Sequence, residues 1–310
     1  MASSAHPPTL IAVVGQTATG KSALAVALAG RLGGEIVNAD AMQLYRGMDI
    51  GTAKTPLAER CGIPHHQLDV LGVRDEASLA AYQRQARADI AAIRSRGRVP
   101  VVVGGSGLYV RAVLDRLTIP PTDPAVREGL EADLRRDGAE ALYLRLRAAD
   151  PVAATSILPG NARRVVRALE VLELTGRPFS ATLPTRELHA PTVLLGLSLD
   201  RNRLDDRIAS RAARMWRDGL VQEVRGLLPQ GLREGRTAPA AVGYRQALAV
   251  VDGILTDERA VADTAQATRR LARRQAGWFR TDPRISWLRA EAPDLLEQAL
   301  RAIEDFPRRG

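Results

Sequence analysis

Residues Gly15-Gln16-Thr17-Ala18-Thr19-Gly20-Lys21-Ser22 satisfy the pattern G-x-x-x-x-G-K-[ST] in full. Glycines at these positions let successive backbone N–H groups converge on a phosphate chain. Lys21 adds a point charge there, and the Ser22 hydroxyl can ligate Mg²⁺. The loop therefore predicts a bound phosphate compound without naming it, since ATPases, kinases and other diphosphate users share it. An ATPase would commonly end a core strand with an Mg²⁺-holding Asp, whereas Val101-Val102-Val103 runs into Gly104-Gly105-Ser106-Gly107 with no acid. A second chemical group is Asp40, directly after EIVNA. An acid there could take a proton from a hydroxyl in a kinase or from an attacking amine in an alkyl transferase, or cap the next turn.

The elements that must position these groups are legible on both sides. LIAVV (10–14) is an apolar, partly β-branched run ending at Gly15, and SALAVALAGRL from Ser22 is rich in helix formers. EIVNA (35–39) reads as a strand, 78–97 as a helix stopped by Gly97, and VPVVVGG (99–105) as a buried strand. Such alternation indicates a parallel sheet covered by helices, with Asp40 at a strand's C-terminal edge, where open α/β sheets place ligands. From Ile119 the turn chemistry of IPPTDP gives way to charged amphipathic helices to about Thr175, and VLLGLSL within 189–200 returns the chain to the sheet before a helical C-terminal half. The expectation is an α/β fold, a P-loop NTPase-like parallel sheet flanked by helices. Residues 1–117 and 190–310 would form its catalytic core with the C-terminal helices, and 118–189 a helical insertion domain.

The 310 residues, 45% of them hydrophobic, can bury one large core plus a smaller lobe. No apolar run approaches the roughly 18 residues that cross a bilayer, and the N-terminal MASSAHPPT lacks the charge and apolar stretch of a signal peptide. Cys61 is the single cysteine, which excludes an internal disulfide or a multi-cysteine zinc site and suits a reducing, cytoplasmic setting. The net charge of +9 comes overwhelmingly from arginine and favours polyanions.

Placement sharpens the charge argument. Arg163, Arg164 and Arg167 cluster on one side of a helix whose Val165, Leu169 and Leu172 make an apolar stripe, and Gly176 and Pro178 end it. Arg269, Arg270, Arg273 and Arg274 recur over adjacent turns of another helix, with Leu271, Gln275 and Trp278 on a separate line. Both faces suit an RNA backbone, though each alone also reads as a solvated charged face. Arg207 and Arg211 share a helix face, with Asp205 and Asp206 as near partners. His65 and His66 lack partners at zinc spacing and read as structural, as does Asp69.

Beyond the loop, the blocks NADAMQLYRGMDIGTAK (38–54), IPHHQLD (63–69), GGSGLY (104–109), RRVVRALEVLELTG (163–176), AVGYRQ (241–246) and TRRLARRQAGWFR (268–280) occur in this order over nearly the whole chain. In this the sequence resembles the tRNA dimethylallyltransferase family, also called tRNA isopentenyltransferases. The resemblance implies transfer of a dimethylallyl group from dimethylallyl diphosphate to the N6 amine of adenosine 37 in the tRNA anticodon stem-loop. The products would be N6-(dimethylallyl)adenosine and diphosphate. It further implies Mg²⁺ on Ser22, diphosphate on Gly15 to Ser22, Asp40 as general base, and Ser106 and Arg211 as further catalytic groups. Contacts to tRNA would come from Asp40, Ala41, Met42, Gln43, Arg127, Arg163, Arg164, Val165, Val166, Arg167, Arg270, Arg273 and Arg274.

Two departures stand out. Ser106 replaces the family's usual Thr but keeps a hydroxyl, and Pro159-Gly160-Asn161 replaces P-N-D before the first arginine helix, placing a local cap in question. A monomer outside any membrane is expected, because each chain carries both halves of the site. The competing readings are an adenylate isopentenyltransferase, a small-molecule P-loop kinase and a non-catalytic RNA-binding protein.

Overall fold

A computed structural model describes residues 10–182 and 186–306. MASSAHPPT, read above for a leader, lies outside them. Six strands, all parallel, form one sheet in the order β3-β2-β4-β1-β5-β6: β1 Leu10–Gly15, β2 Gly34–Asn38, β3 His65–His66, β4 Val99–Gly104, β5 Thr192–Ser198 and β6 Ile285–Arg289. The helices, in chain order, are α1 Lys21–Leu32, α2 Leu79–Ser95, α3 Gly107–Leu114, α4 Pro124–Ala149, α5 Pro151–Ser156, α6 Ala162–Thr175, α7 Arg201–Arg217, α8 Leu220–Leu227, α9 Tyr244–Val251, α10 Asp257–Arg280 and α11 Leu295–Glu304.

Alternation along β1 assigns its two faces. Leu10, Ala12 and Val14 pack with Tyr82, Ala86, Ile90 and Ile93 of α2, Val110 and Val113 of α3 and Phe279 of α10. Ile11 and Val13 pack with Leu24, Ala25 and Leu28 of α1 and with Ala299 and Ile303 of α11. Strands buried on both faces need continuous apolar runs, which is what LIAVV and VPVVV supply. Leu28 is fully buried, so truncating it to Ala would cost about 2–5 kcal/mol. Helix α2 begins where the Ser78 hydroxyl accepts the Ala81 N–H (3.3 Å), and its buried residues recur at helical spacing.

The C-terminal half is not wholly helical. Residues 285–289 form β6, paired with β5 from Leu194↔Ile285 to Ser198↔Arg289. A five-residue edge strand between two long helices carries too short a period to stand out in sequence.

The chain divides into two compact units, one comprising the described residues up to Leu114 and from Leu188, the other Asp115–Glu187. In the second unit, α4, α5 and α6 bury Leu130, Leu142, Leu146, Ile157, Val165 and Leu169 together. Gly138 (φ 83°) breaks α4. Asn161 caps α6, its side-chain oxygen accepting the Arg164 N–H at 3.3 Å, so the departure at Pro159-Gly160-Asn161 preserves the cap. Among the described residues, no helix is long and apolar enough to cross a membrane.

Candidate active site

The core unit gathers the phosphate loop, Asp40, Ser106 and Arg211. Gly15 (φ 134°), Ala18 (φ 64°) and Gly20 (φ 91°) occupy positive φ in the loop between β1 and α1. Left-handed residues among right-handed ones curve a backbone into an N–H nest, and Ala18 carries strain there that a non-glycine residue normally avoids. The Thr19 hydroxyl (2.8 Å) and the Lys21 ammonium (2.6 Å) both donate to the Gln16 carbonyl, which ties the loop across its base. The Ser22 hydroxyl is exposed in the first turn of α1.

Arg211 of α7 donates to the Thr17 hydroxyl at 2.6 Å, turning its guanidinium onto the loop. Its neighbour Arg207 instead pairs with Glu291 at 3.1 Å, so of the two it is Arg211 that touches the loop. The expected alternatives, Asp205 and Asp206, do not hold Arg211; Asp205 faces Arg269 at 3.6 Å. A cavity of about 550 Å³ opens here, lined by Ala18, Gly20, Arg207, Arg211, Arg214 and Glu291 among others.

Asp40 stands just past β2 and begins the 3₁₀ turn Ala41–Leu44. One of its carboxylate oxygens accepts the Met42 N–H (3.0 Å), and Asn38 brackets it, accepting the Asp40 N–H at 2.9 Å and donating to the Asp40 carbonyl at 3.0 Å. The capping reading and the chemical reading thus coexist, because the second oxygen is not used by the cap. Ser106 accepts the Ala41 N–H at 3.2 Å, joining the GGSG segment to the Asp40 turn.

Charge in this site is left unbalanced. Burial pulls the Lys21 ammonium down to about 8, with Asp40 opposing and Arg211 reinforcing. Burial also raises the Asp40 carboxyl above its ordinary range, against the Met42 N–H, Lys21 and Arg211. Burial lowers Arg211 as well, with Asp40 opposing. Three ionisable groups are thus pushed toward neutrality around one loop, a pattern that functional clefts share.

Gln275 of α10 reads in sequence only as one of a line of residues beside the arginines, yet it holds the site together. Its side-chain oxygen accepts the Thr17 N–H (2.8 Å) and its amide donates to the Gly105 carbonyl (3.0 Å), while Gln16 reaches back to the Ala272 carbonyl (3.1 Å). A Cβ on Gly105 would lie 2.4 Å from the Gln275 amide nitrogen, so this contact requires glycine. Only the long-range pairing of α10 with the loop reveals the role, and spacing along the helix does not encode it.

The arginine helices separate into two kinds. On α10, Arg270, Arg273 and Arg274 are exposed and make no ion pair among the described residues. On α6, Arg163 and Arg164 are likewise exposed, but Arg167 is not available in the same way. It donates to the Glu170 carboxylate (2.7 Å) and to the carbonyls of Pro120 and Pro121 (2.9 Å each), and Arg127 donates to the same Glu170 at 2.8 Å. Arg127 and Arg167, expected at tRNA, thus also hold the insertion together through Glu170. Val165 and Val166, also expected at tRNA, are 0% and 4% exposed and belong to the insertion core, Val165 on the apolar stripe of α6 and Val166 beside it. His66 pairs with Glu35 at 2.7 Å, and Asp69 pairs with the buried Lys54 at 2.6 Å.

A phosphate loop opposite a strand-end carboxylate, with an arginine turned onto the loop and no acid ending β4, defines an α/β group-transferring enzyme of P-loop architecture. A family model described as IPP transferase matches residues 43–282, and one described as isopentenyl transferase matches 8–67. The chain belongs to the IPP transferase family and is a prenyl transferase. It is 59% identical over 295 residues to the tRNA dimethylallyltransferase of Salinispora arenicola, covering 95% of this chain and 86% of that one. It is 56% identical to that of Streptomyces coelicolor, covering 98% of each chain. Among solved structures, the full-length tRNA isopentenylpyrophosphate transferase of Bacillus halodurans is 38% identical with a TM-score of 0.69, covering 96% of this chain and 98% of that one. A eukaryotic dimethylallyltransferase acting on tRNA is 27% identical with a TM-score of 0.81, covering 97% and 79%.

Proposed function

We propose that this chain transfers the dimethylallyl group of dimethylallyl diphosphate to the N6 amine of the adenosine beside the anticodon of tRNA, releasing diphosphate. The observation that carries this reading is the placement of Asp40, Lys21 and Arg211 about one phosphate loop. Breaking the carbon–oxygen bond of the allylic ester leaves charge on the diphosphate, which the loop N–H groups, Lys21 and Arg211 stabilise where it develops. The N6 lone pair forms the new bond to the allylic carbon. Because an adenine amine is a poor acid, Asp40 takes its proton as or after that bond forms, and a carboxyl raised above its usual range is the better acceptor. Ser106 holds the Asp40 turn through Ala41 and keeps its hydroxyl beside it.

The oxygen donors at the loop suit Mg²⁺, which takes few protein ligands and completes its shell with phosphate and water. Ser22 would hold it, and when bound it would neutralise charge on the diphosphate. Asp40 to Gln43 would meet the target nucleotide. The exposed Arg163, Arg164, Arg270, Arg273 and Arg274 would take the RNA backbone by phosphate contacts. An unpaired loop nucleotide leaves its stack at lower cost than one in a duplex, which favours an anticodon loop as acceptor. The chain works as a cytoplasmic monomer, and sedimentation at assay concentration tests the stoichiometry.

The function is tested by incubating the protein with Mg²⁺ and labelled dimethylallyl diphosphate, in parallel with unmodified tRNA, AMP and ATP, followed by nucleoside mass analysis. Label on N6 of a tRNA adenosine alone is the expected result. Label only on free nucleotide would assign an adenylate enzyme, and no label on any acceptor would return attention to a kinase.

A further inference from the structure

Glu223, on α8, takes no part in the chemistry above. Its half-buried carboxylate nevertheless accepts three successive backbone N–H groups from a segment far away in sequence: Asp49 (3.0 Å), Ile50 (2.7 Å) and Gly51 (3.3 Å). The Tyr244 hydroxyl donates to the same carboxylate from the first turn of α9. Consecutive N–H groups converging on one anion form a nest, and hydrogen bonds to a charged acceptor are about twice as strong as neutral ones. The packing is equally close. A Cβ on Gly51 would sit 2.4 Å from the Tyr244 ring and 2.9 Å from Leu220, so the segment's backbone lies directly on α8 and α9.

The segment so held leads back to the Asp40 turn. The Thr52 carbonyl, next along the chain, accepts the Gln43 side-chain amide at 3.1 Å. The Gln43 main-chain carbonyl accepts the Asp69 N–H at 3.3 Å, and buried Lys54 joins Asp49 (2.5 Å) and Asp69 (2.6 Å). With its NH₂ group drawn toward Thr52, Gln43 keeps its side-chain oxygen as the acceptor left over for a ligand. We infer that Glu223 is a positioning residue for the nucleic-acid substrate: by fixing residues 49–51 it fixes the Thr52 carbonyl that aims Gln43. The inference rests on the reading of Asp40–Gln43 as the nucleotide-facing turn.

Glu223→Gln keeps the size but places an NH₂ group where two or more donors converge. The expected result is a KM for tRNA raised about tenfold, with kcat at saturating tRNA and the KM for dimethylallyl diphosphate each within about twofold of wild type. Tyr244→Phe, which removes one donor and leaves the nest intact, should shift the tRNA KM in the same direction by less. If Glu223 acts through Gln43, then Glu223→Gln combined with Gln43→Ala should be no worse than Gln43→Ala alone. A merely structural role would lower the melting temperature or the active fraction and leave both KM values unmoved. Unchanged tRNA KM, or full additivity with Gln43→Ala, would overturn the inference. Filter retention of tRNA by wild type and Glu223→Gln supplies a readout that needs no turnover. A wild-type protein that binds but transfers nothing would break the proposed function alone, and equal retention by the two would break this inference alone.

Discussion

The phosphate loop of the core unit and the Glu170 knot of the insertion use the same materials to opposite ends. In the knot a fully buried carboxylate accepts from Arg127 (2.8 Å), Arg167 (2.7 Å), the Thr122 hydroxyl (2.6 Å) and the Asp123 N–H (3.1 Å). Against burial, these donors drive the Glu170 carboxyl down to about 2. At the loop, Asp40 has one backbone donor on its side chain, burial raises it, and Lys21 is pulled down to about 8. Satisfied charge locks a shape, whereas unsatisfied charge is held ready for a ligand. The contrast explains why arginines that look alike in sequence divide into Arg167, which holds the Pro120–Pro121 segment, and Arg211, which turns onto the loop at Thr17.

The contrast can be broken most sharply at the loop. Lys21→Ala should reduce turnover about 10²- to 10³-fold with little change in melting temperature, because charge stabilisation of the leaving diphosphate is lost and no structural ion pair is broken. Preserved turnover would place the leaving group elsewhere. Glu170→Ala should do the reverse, costing about 3 kcal/mol of stability by removing the carboxylate that two guanidinium groups share, as read by denaturant unfolding. The sign with pH follows from its lowered carboxyl: the stabilisation is complete above the ordinary 4.5 and is lost as pH falls toward about 2. Unfolding that is insensitive to acid in wild type relative to Glu170→Gln would contradict it.

Lys21 titrates in the opposite sense. An ammonium near 8 is charged at neutral pH, so affinity for inorganic diphosphate in the apo protein should fall by up to about tenfold per pH unit as pH rises above about 8. A flat profile by calorimetry would remove Lys21 from the site. The smallest effects separate the arginines. Arg164→Ala and Arg270→Ala should each weaken tRNA binding a few-fold and reduce the salt slope by about one. Arg167→Ala should lower the melting temperature and leave that slope unchanged. Equal behaviour of Arg167 and Arg164 would erase the distinction drawn between them.

The phosphate loop, the strand carrying Asp40 and the division into sheet and insertion were legible because local spacing encodes them: a β-run, a glycine loop, a helix, then turn chemistry at IPPTDP. Edge strands β3 and β6 were not, since two and five residues are too few for a period to register. Among site residues, Asp40 follows from its position at a strand end, and the resemblance rather than the shared helix face separates Arg211 from Arg207, but Gln275 follows from neither, because its partners Thr17 and Gly105 lie 258 and 170 residues away. The fate of Arg127 and Arg167 was hidden for the same reason. The signal was an acid, Glu170, three residues after Arg167 and so on the same flank of an otherwise basic helix, where a carboxylate and a guanidinium reach each other.

Single-turnover transfer from labelled dimethylallyl diphosphate to tRNA already bound by wild type and by Asp40→Asn isolates the proton transfer assigned to Asp40. Asn keeps the shape and the Met42 contact but cannot take the proton. Unchanged tRNA affinity with the chemical step slowed about 10²- to 10⁴-fold is expected; an Asp40→Asn protein that transfers at the wild-type rate would remove Asp40 as the base.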